Sequence, residues 1–294
     1  MDQKKRPVSG DQSHINGKKQ NYTLAHFVLF LVRKLMRLRP LARFLKAKAL
    51  HLQTTEHAVI SSYLPKSFHQ FKILHLTDFH IDCNPSVIDE LVKTIRPLVY
   101  DLVLLTGDYQ DDYHLNPIKI KSYIEKLIDT IPNGVPVVAT LGNHDNNATI
   151  RVLESLGIKV LINESYEIHR GKDSIVILGI DDVHWYFSDS AISAFETINP
   201  EPFTIVAVHS PEAFEIAEKQ GAHVYLCGHT HGGQICFRAG QAVLTHADCP
   251  KHMASGSWNF GRLIGYTNRG VGTSGIPLRW NCPGEVLLAR LVQE

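Results

Sequence analysis

From Phe71 onward the chain alternates short apolar runs with segments of helical periodicity. FKILHLTD (71–78), DLVLLTGD (101–108) and VPVVATLGNHD (135–145) each read as a buried strand that ends in polar residues. Between them, SVIDELVKTIRPL (86–98) and KIKSYIEKLIDTI (119–131) place apolar residues three and four apart and are predicted to be helices. Alternation of this kind builds parallel βαβ units. Further along, SIVILGID (174–181), FTIVAVHS (203–210) and AHVYLCGH (222–229) are predicted strands, with a helix near 212–219 after Pro211. From Gln234 β-like runs continue to EVLLARLV (285–292). The expectation is an α/β body spanning 71–294, richer in β structure in its second half and without an internal repeat.

The first seventy residues break the pattern. Residues 1–20 are polar, carry Gly, Pro and Ser, and cannot bury a core, so they are predicted to be disordered. In residues 21–51, Leu31, Leu35 and Leu38 recur at helical spacing while Arg33, Lys34 and Arg37 fall on other faces. Pro40 breaks or kinks this helix, and Leu41, Phe44 and Leu45 restart the pattern. The uncharged apolar stretch Leu24 to Val32 is too short to span a bilayer. A basic amphipathic helix reads as an element lying on an anionic membrane surface, and its positive charge favours the cytoplasmic side. The alternative is a helix packed on the body with its bases paired to acids. Residues 52–70 are read as a linker.

Charge sharpens that division. The 294 residues hold 30 Lys and Arg against 29 Asp and Glu, a formal charge of +1. Residues 1–51 contain 12 of the bases and two of the acids, a charge of +10. The remainder holds 18 bases and 27 acids, a charge of −9. An acidic body argues against a nucleic-acid partner steered by its own field. Five cysteines without a CxxC pair argue against a disulfide scaffold or a thiolate zinc site, and fit a reducing compartment.

Five polar clusters fall just past predicted strand ends, where α/β sheets build their sites. They are Asp78-Phe79-His80, Gly107-Asp108, Gly142-Asn143-His144-Asp145, His209, and Gly228-His229-Thr230-His231-Gly232-Gly233. Each alone is weak, since a GD pair is usually a turn and a lone His is usually structural. Together they deliver carboxylate, amide and imidazole groups to one edge. Such a donor set without thiolate suits divalent Mn first, with Fe, Zn or Ni as the other choices. Two Asp, one Asn and four His exceed what one metal uses, and two metals sharing an Asp would accommodate them. A metal pair of this kind clamps a phosphate and generates hydroxide for in-line attack.

The ordered set DxH, GD, GNHD, a lone His after a strand, and GHTH resembles the calcineurin-like metallophosphoesterase superfamily from about Phe71 to Val292. GHTHGGQ (228–234) and YTNRGVGTSGIPLRWNCPGEV (266–286) resemble one subgroup, the bacterial membrane- or envelope-associated phosphohydrolases. The resemblance implies a four-layer αββα sandwich of two central sheets flanked by helices. It assigns Asp78, His80 and His231 to one metal and Asn143, His209 and His229 to the other, with Asp108 bridging. It gives His144 the role of general acid or transition-state stabiliser facing the phosphate. Asp111 sits where related phosphatases keep an orienting Asp, the alternative being a solvated loop acid. Asp145 is a second candidate orienter, or a cap for the helix beginning near Ala148.

Other features carry less. Gly270-Val271-Gly272-Thr273-Ser274-Gly275 matches GxGxxG, yet Pro277 follows with no helical pattern, which argues against a dinucleotide site. His75, His114, His184, His223, His246 and His252 read as structural or surface residues; among them His184 could reach a substrate, though no feature of the sequence shows it. The leading function is hydrolysis of a phosphodiester or pyrophosphate at a membrane surface. A specific form is cleavage of UDP-2,3-diacylglucosamine, a lipid-linked pyrophosphate, suggested by the basic arm. A metal-binding membrane scaffold without turnover is the alternative of another class.

Overall fold

The computed structural model describes residues 47–199, 201–237, 242, 245 and 247–294. Residues 1–46, with the membrane-surface positions Leu31 to Leu38, lie outside them. Among the described residues, twelve strands form two six-stranded sheets. The first has the order β1 (Leu52–Ser61), β12 (Gly284–Gln293), β2 (Lys72–Leu76), β3 (Leu102–Thr106), β4 (Val137–Thr140) and β5 (Lys159–Val160). The second runs β10 (Gly256–Phe260), β11 (Leu263–Thr267), β9 (Val224–Cys227), β8 (Phe203–Ala207), β7 (Asp173–Gly179) and β6 (Glu164–Arg170). β2 to β5 are mutually parallel, as are β7, β8, β9 and β11, so the βαβ expectation holds through both halves.

Three apolar cores separate four layers. One joins Leu74, Leu76, Val103 and Leu105 of the first sheet to helices α1 (Val87–Ile95), α2 (Lys121–Ile128) and α3 (Asn147–Ser155). A second lies between the sheets, where Ile73, Leu102, Leu104 and Val138 meet Ile175, Ile177, Ile205 and Leu226. The third packs Val206 and Tyr225 against helices α4 (Asp189–Glu196) and α5 (Phe214–Lys219). Alternate residues of β2 and β3 thus enter different cores, which is why these strands read as continuous apolar runs. The architecture is the αββα sandwich expected above.

Residues 52–61 are a correction to the linker reading. β1 pairs in parallel with β12 along its whole length, from Leu52 with Gly284 to Ser61 with Gln293. Its sequence, LQTTEHAVIS, is polar because β1 is an edge strand with much of its surface open to solvent. The body also begins earlier than the boundary at residue 51. Ala49 is buried, and Leu50 and Leu52 pack against the first core. No described helix is long and apolar enough to cross a membrane.

Candidate metal centre

The strands that carry the polar clusters end at one common edge of the sandwich. β2, β3 and β4 deliver Asp78 and His80, Asp108, and Asn143 and His144 from the first sheet. β8 and β9 deliver His209, then His229 and His231, from the second. Adjacent strand ends are stitched together: Asp78 N–H donates to Gly107 O (3.0 Å) and His80 N–H to Asp108 O (3.0 Å). Five of these residues hold left-handed backbone angles, with φ of 55° at Asp78, 41° at His80, 55° at Asp108, 71° at His229 and 51° at His231. Such conformations cost free energy in non-glycine residues and persist where surrounding structure imposes them. Here each turns a side chain back toward the edge. Two glycines permit the close approach. A Cβ on Gly142 would strike the Asp108 carboxylate, and one on Gly228 would strike that of Asp78.

The convergence is tight. Asp78, His80 and His231 each offer a ligating atom within 4.8 Å of the others, and so do Asp108, His209 and His229. His80 Nε2 lies 3.1 Å from His231 Nε2, and His229 Nδ1 lies 3.2 Å from His209 Nε2. Asp108 Oδ2 is 3.2 Å from His209 Nε2 and 3.5 Å from His80 Nε2, which places this carboxylate between the two groups. His209 Nδ1 is 2.7 Å from the Thr106 carbonyl, an arrangement that puts the proton there and aims Nε2 into the cluster.

Electrostatics follow from burial opposed by pairing. Burial alone would raise the Asp108 carboxyl, but His209 and His80 outweigh it and hold it well below the usual carboxylate range. Burial disfavours a charged His209, and Asp108 beside it overrides this, lifting the imidazole to about 10. Burial dominates at Asp78 and raises it. Burial, reinforced by His80 and Arg279, pushes His231 well down.

The residues fit a pair of divalent cations. The donors are carboxylates, imidazoles and one amide, and the Asn143 side-chain oxygen is buried without a hydrogen-bond partner among the described residues. Buried polar atoms rarely go unpaired without reason, and a carbonyl oxygen at this edge is suited to a cation.

Two of the sequence assignments change. At Asp111 it is the backbone carbonyl that lies against His144 Nδ1. Its carboxylate instead meets His80 Nδ1 at 3.2 Å and accepts from Ser274 Oγ at 2.8 Å, behind a candidate ligand. Asp145 does not cap the helix. Its carboxylate accepts N–H groups of Asp108 (2.8 Å), Tyr109 (3.0 Å) and Gly142 (2.8 Å), and Asn146 caps α3.

His184 lies beside the cluster. Its ring centroid lies 4.6 Å from that of His229, and its Nδ1 is 2.9 Å from both Glu212 oxygens. Arg279 was missed altogether. This buried guanidinium donates to the carbonyls of Arg269, Gly270, Gly272 and His231, holding the loop after β11 beneath the GHTH turn. An arginine inside a Gly/Pro-rich loop was its one visible signal.

Comparison with known proteins agrees with this geometry. The calcineurin-like phosphoesterase family profile matches residues 71–233, and the chain belongs to that family. It is a metal-dependent phosphohydrolase by membership and by its ligand clusters. Among relatives, phosphodiesterase YaeI of Escherichia coli is 32% identical over 233 residues, covering 76% of this chain and 82% of YaeI. The uncharacterized metallophosphoesterase YkuE of Bacillus subtilis is 28% identical over 250 residues, covering 82% and 85%. Among solved structures, Thermus thermophilus sulfate thiohydrolase SoxB shares 11% identity at a TM-score of 0.47, over 78% of this chain and 58% of SoxB.

Proposed function

We propose that this chain hydrolyses phosphodiesters at the common sheet edge. One divalent cation would be held by Asp78, His80 and His231, another by Asn143, His209 and His229, with Asp108 shared. The observation that carries this reading is the meeting of two ligand trios across the Asp108 carboxylate. Bound cations supply charge neutralisation at the phosphoryl oxygens and an activated water. The chain itself supplies orientation. Asp108 Oδ1 accepts the His144 backbone N–H at 3.0 Å, and the Asp111 carbonyl occupies His144 Nδ1. His144 Nε2 is then the end left to face the leaving oxygen, and it donates a proton there when the ring is in its imidazolium form.

The test uses the full chain, stripped of metal and reloaded with Mn²⁺, on bis(p-nitrophenyl) phosphate. Hydrolysis that appears with metal, and falls together with metal content in Asp108→Asn, is the expected result. Two bound metals per chain without hydrolysis would overturn the proposal. The relative named as a phosphodiesterase supports the diester. A lipid-linked pyrophosphate such as UDP-2,3-diacylglucosamine is the second substrate class, favoured by the basic amphipathic segment, and belongs in the same panel.

That segment also supports a location on the cytoplasmic face of a membrane, held by Leu31, Leu35 and Leu38 in the acyl boundary and Arg33, Lys34 and Arg37 on anionic headgroups. Sedimentation with anionic vesicles should capture the full chain and leave residues 47–294 in solution. Equal capture of both would refute it.

A further inference from the structure

Four rings run in file from the candidate metal centre to the surface. His209 is buried; His229 lies 5.0 Å beyond it, His184 4.6 Å beyond that, and Trp185 a further 6.3 Å, all between centroids. The His184 side chain is 20% exposed and Trp185 50%. His184 and Trp185 are within 23° of parallel, so the file ends in an accessible indole aligned with the imidazole before it.

The pair is built, not incidental. Both Glu212 oxygens engage His184 Nδ1, and one of them also accepts the Asp248 N–H at 2.7 Å. Glu212 lies three residues after His209, so the group that anchors His184 belongs to the same turn as a candidate ligand. The Trp185 backbone N–H donates to Asp182 Oδ2 at 2.8 Å, and Asp182 is itself fully buried. His184 belongs to neither trio, nor to the third candidate group of His80, Asp111 and His144, and its Nδ1 is taken. Its Nε2 is the nitrogen left for contact with what the metals hold.

His144 stands on the other flank. It packs edge-on to His80 at 5.1 Å, whereas His184 packs on His229. If the leaving oxygen faces His144, the substituent retained on phosphorus extends along the other flank. We infer that His184 and Trp185 form a binding subsite for that retained substituent, with His184 Nε2 at a phosphoryl oxygen and the Trp185 indole stacked on a planar aryl or nucleobase group. This rests on the phosphodiesterase reading and names the substrate class that reading leaves open.

The test holds the leaving group constant. Methyl, phenyl and thymidine-5′ p-nitrophenyl phosphates all release p-nitrophenol and differ only in what stays on phosphorus. With the full chain, the kcat/KM ratio of the phenyl or thymidine ester to the methyl ester should fall about tenfold in Trp185→Ala, in the range measured for stacking a base on an aromatic side chain. Trp185→Phe should restore most of it. The phenyl and thymidine arms tell a bare ring from a nucleobase. A ratio unchanged within twofold in Trp185→Ala would overturn the subsite. His184→Gln should lower kcat/KM for all three esters alike at wild-type metal content. Loss of metal in that variant would show that His184 supports His229, and would overturn its contact with substrate. A wild-type chain that cleaves none of the esters would sink the proposed function instead.

Discussion

Asp145→Asn isolates the device that holds the two halves of the first-sheet site together. Asp145 is fully buried and accepts three backbone N–H groups, two of them from the Asp108–Tyr109 turn and one from Gly142. Asparagine has nearly the same volume, so no cavity forms and the change is the loss of a buried charge with the hydrogen bonds that charge accepts. Its oxygen can keep the position of Oδ2, which serves Asp108 and Gly142. Its amino group must then face the Tyr109 N–H, donor against donor. Hydrogen bonds to a charged group contribute about 1.5–3 kcal/mol each, and neutral ones about 1. Losing one bond and weakening two therefore costs on the order of 3–4 kcal/mol. Urea unfolding of the metal-free protein should show that loss. Mn²⁺ affinity should fall as well, because the Asp108 N–H and the Gly142 N–H position the carboxylate between the trios. Stability within about 0.5 kcal/mol of wild type, the scatter of ordinary surface substitutions, would refute the clamp.

Three further outcomes follow from the same geometry. His144→Ala should retain both metals by elemental analysis and lose about 10²- to 10⁴-fold in kcat, the range for a general acid; full activity would remove its role. Gly228→Ala should displace the Asp78 carboxylate and lower metal occupancy, measured by titration calorimetry, with the fold retained by circular dichroism. His75 is fully buried, and burial pushes its imidazole down to about 3 from 6.5. The folded state thus binds fewer protons than the unfolded one between those values, so stability is full above pH 6.5 and is lost progressively toward pH 3. Between pH 7 and pH 5 the wild type should lose about 2 kcal/mol more than His75→Gln in chelator; parallel profiles would refute this.

What could be read from the chain, and what could not, divides along burial. β3 and β8 are buried at every position and β2 at all but Lys72, so apolar residues dominate and the run itself announces a strand. β1 and β6 lie at sheet edges, where LQTTEHAVIS buries only two of its ten positions and ESYEIHR none of its seven. Their partners, β12 and β7, supply the order that their own residues do not encode, and this is why the segment 52–61 passed for a linker. The site divides the same way. Candidate ligands announce themselves because a metal needs particular atoms, so Asp78, Asp108, His209 and the GHTH histidines are visible as residue types at strand ends. The groups that position them need only a carboxylate or a guanidinium at the right place in space. Asp145 and Asp111 each stood next to a motif, and only distances tell that one clamps backbone while the other presents its carboxylate to His80 and its carbonyl to His144. Glu212 and Arg279 reach His184 and His231 from 28 and 48 residues away, and no spacing rule connects them. Supporting residues of this kind decide how well the ligands are held, and they are where the sequence of a metal site is least legible.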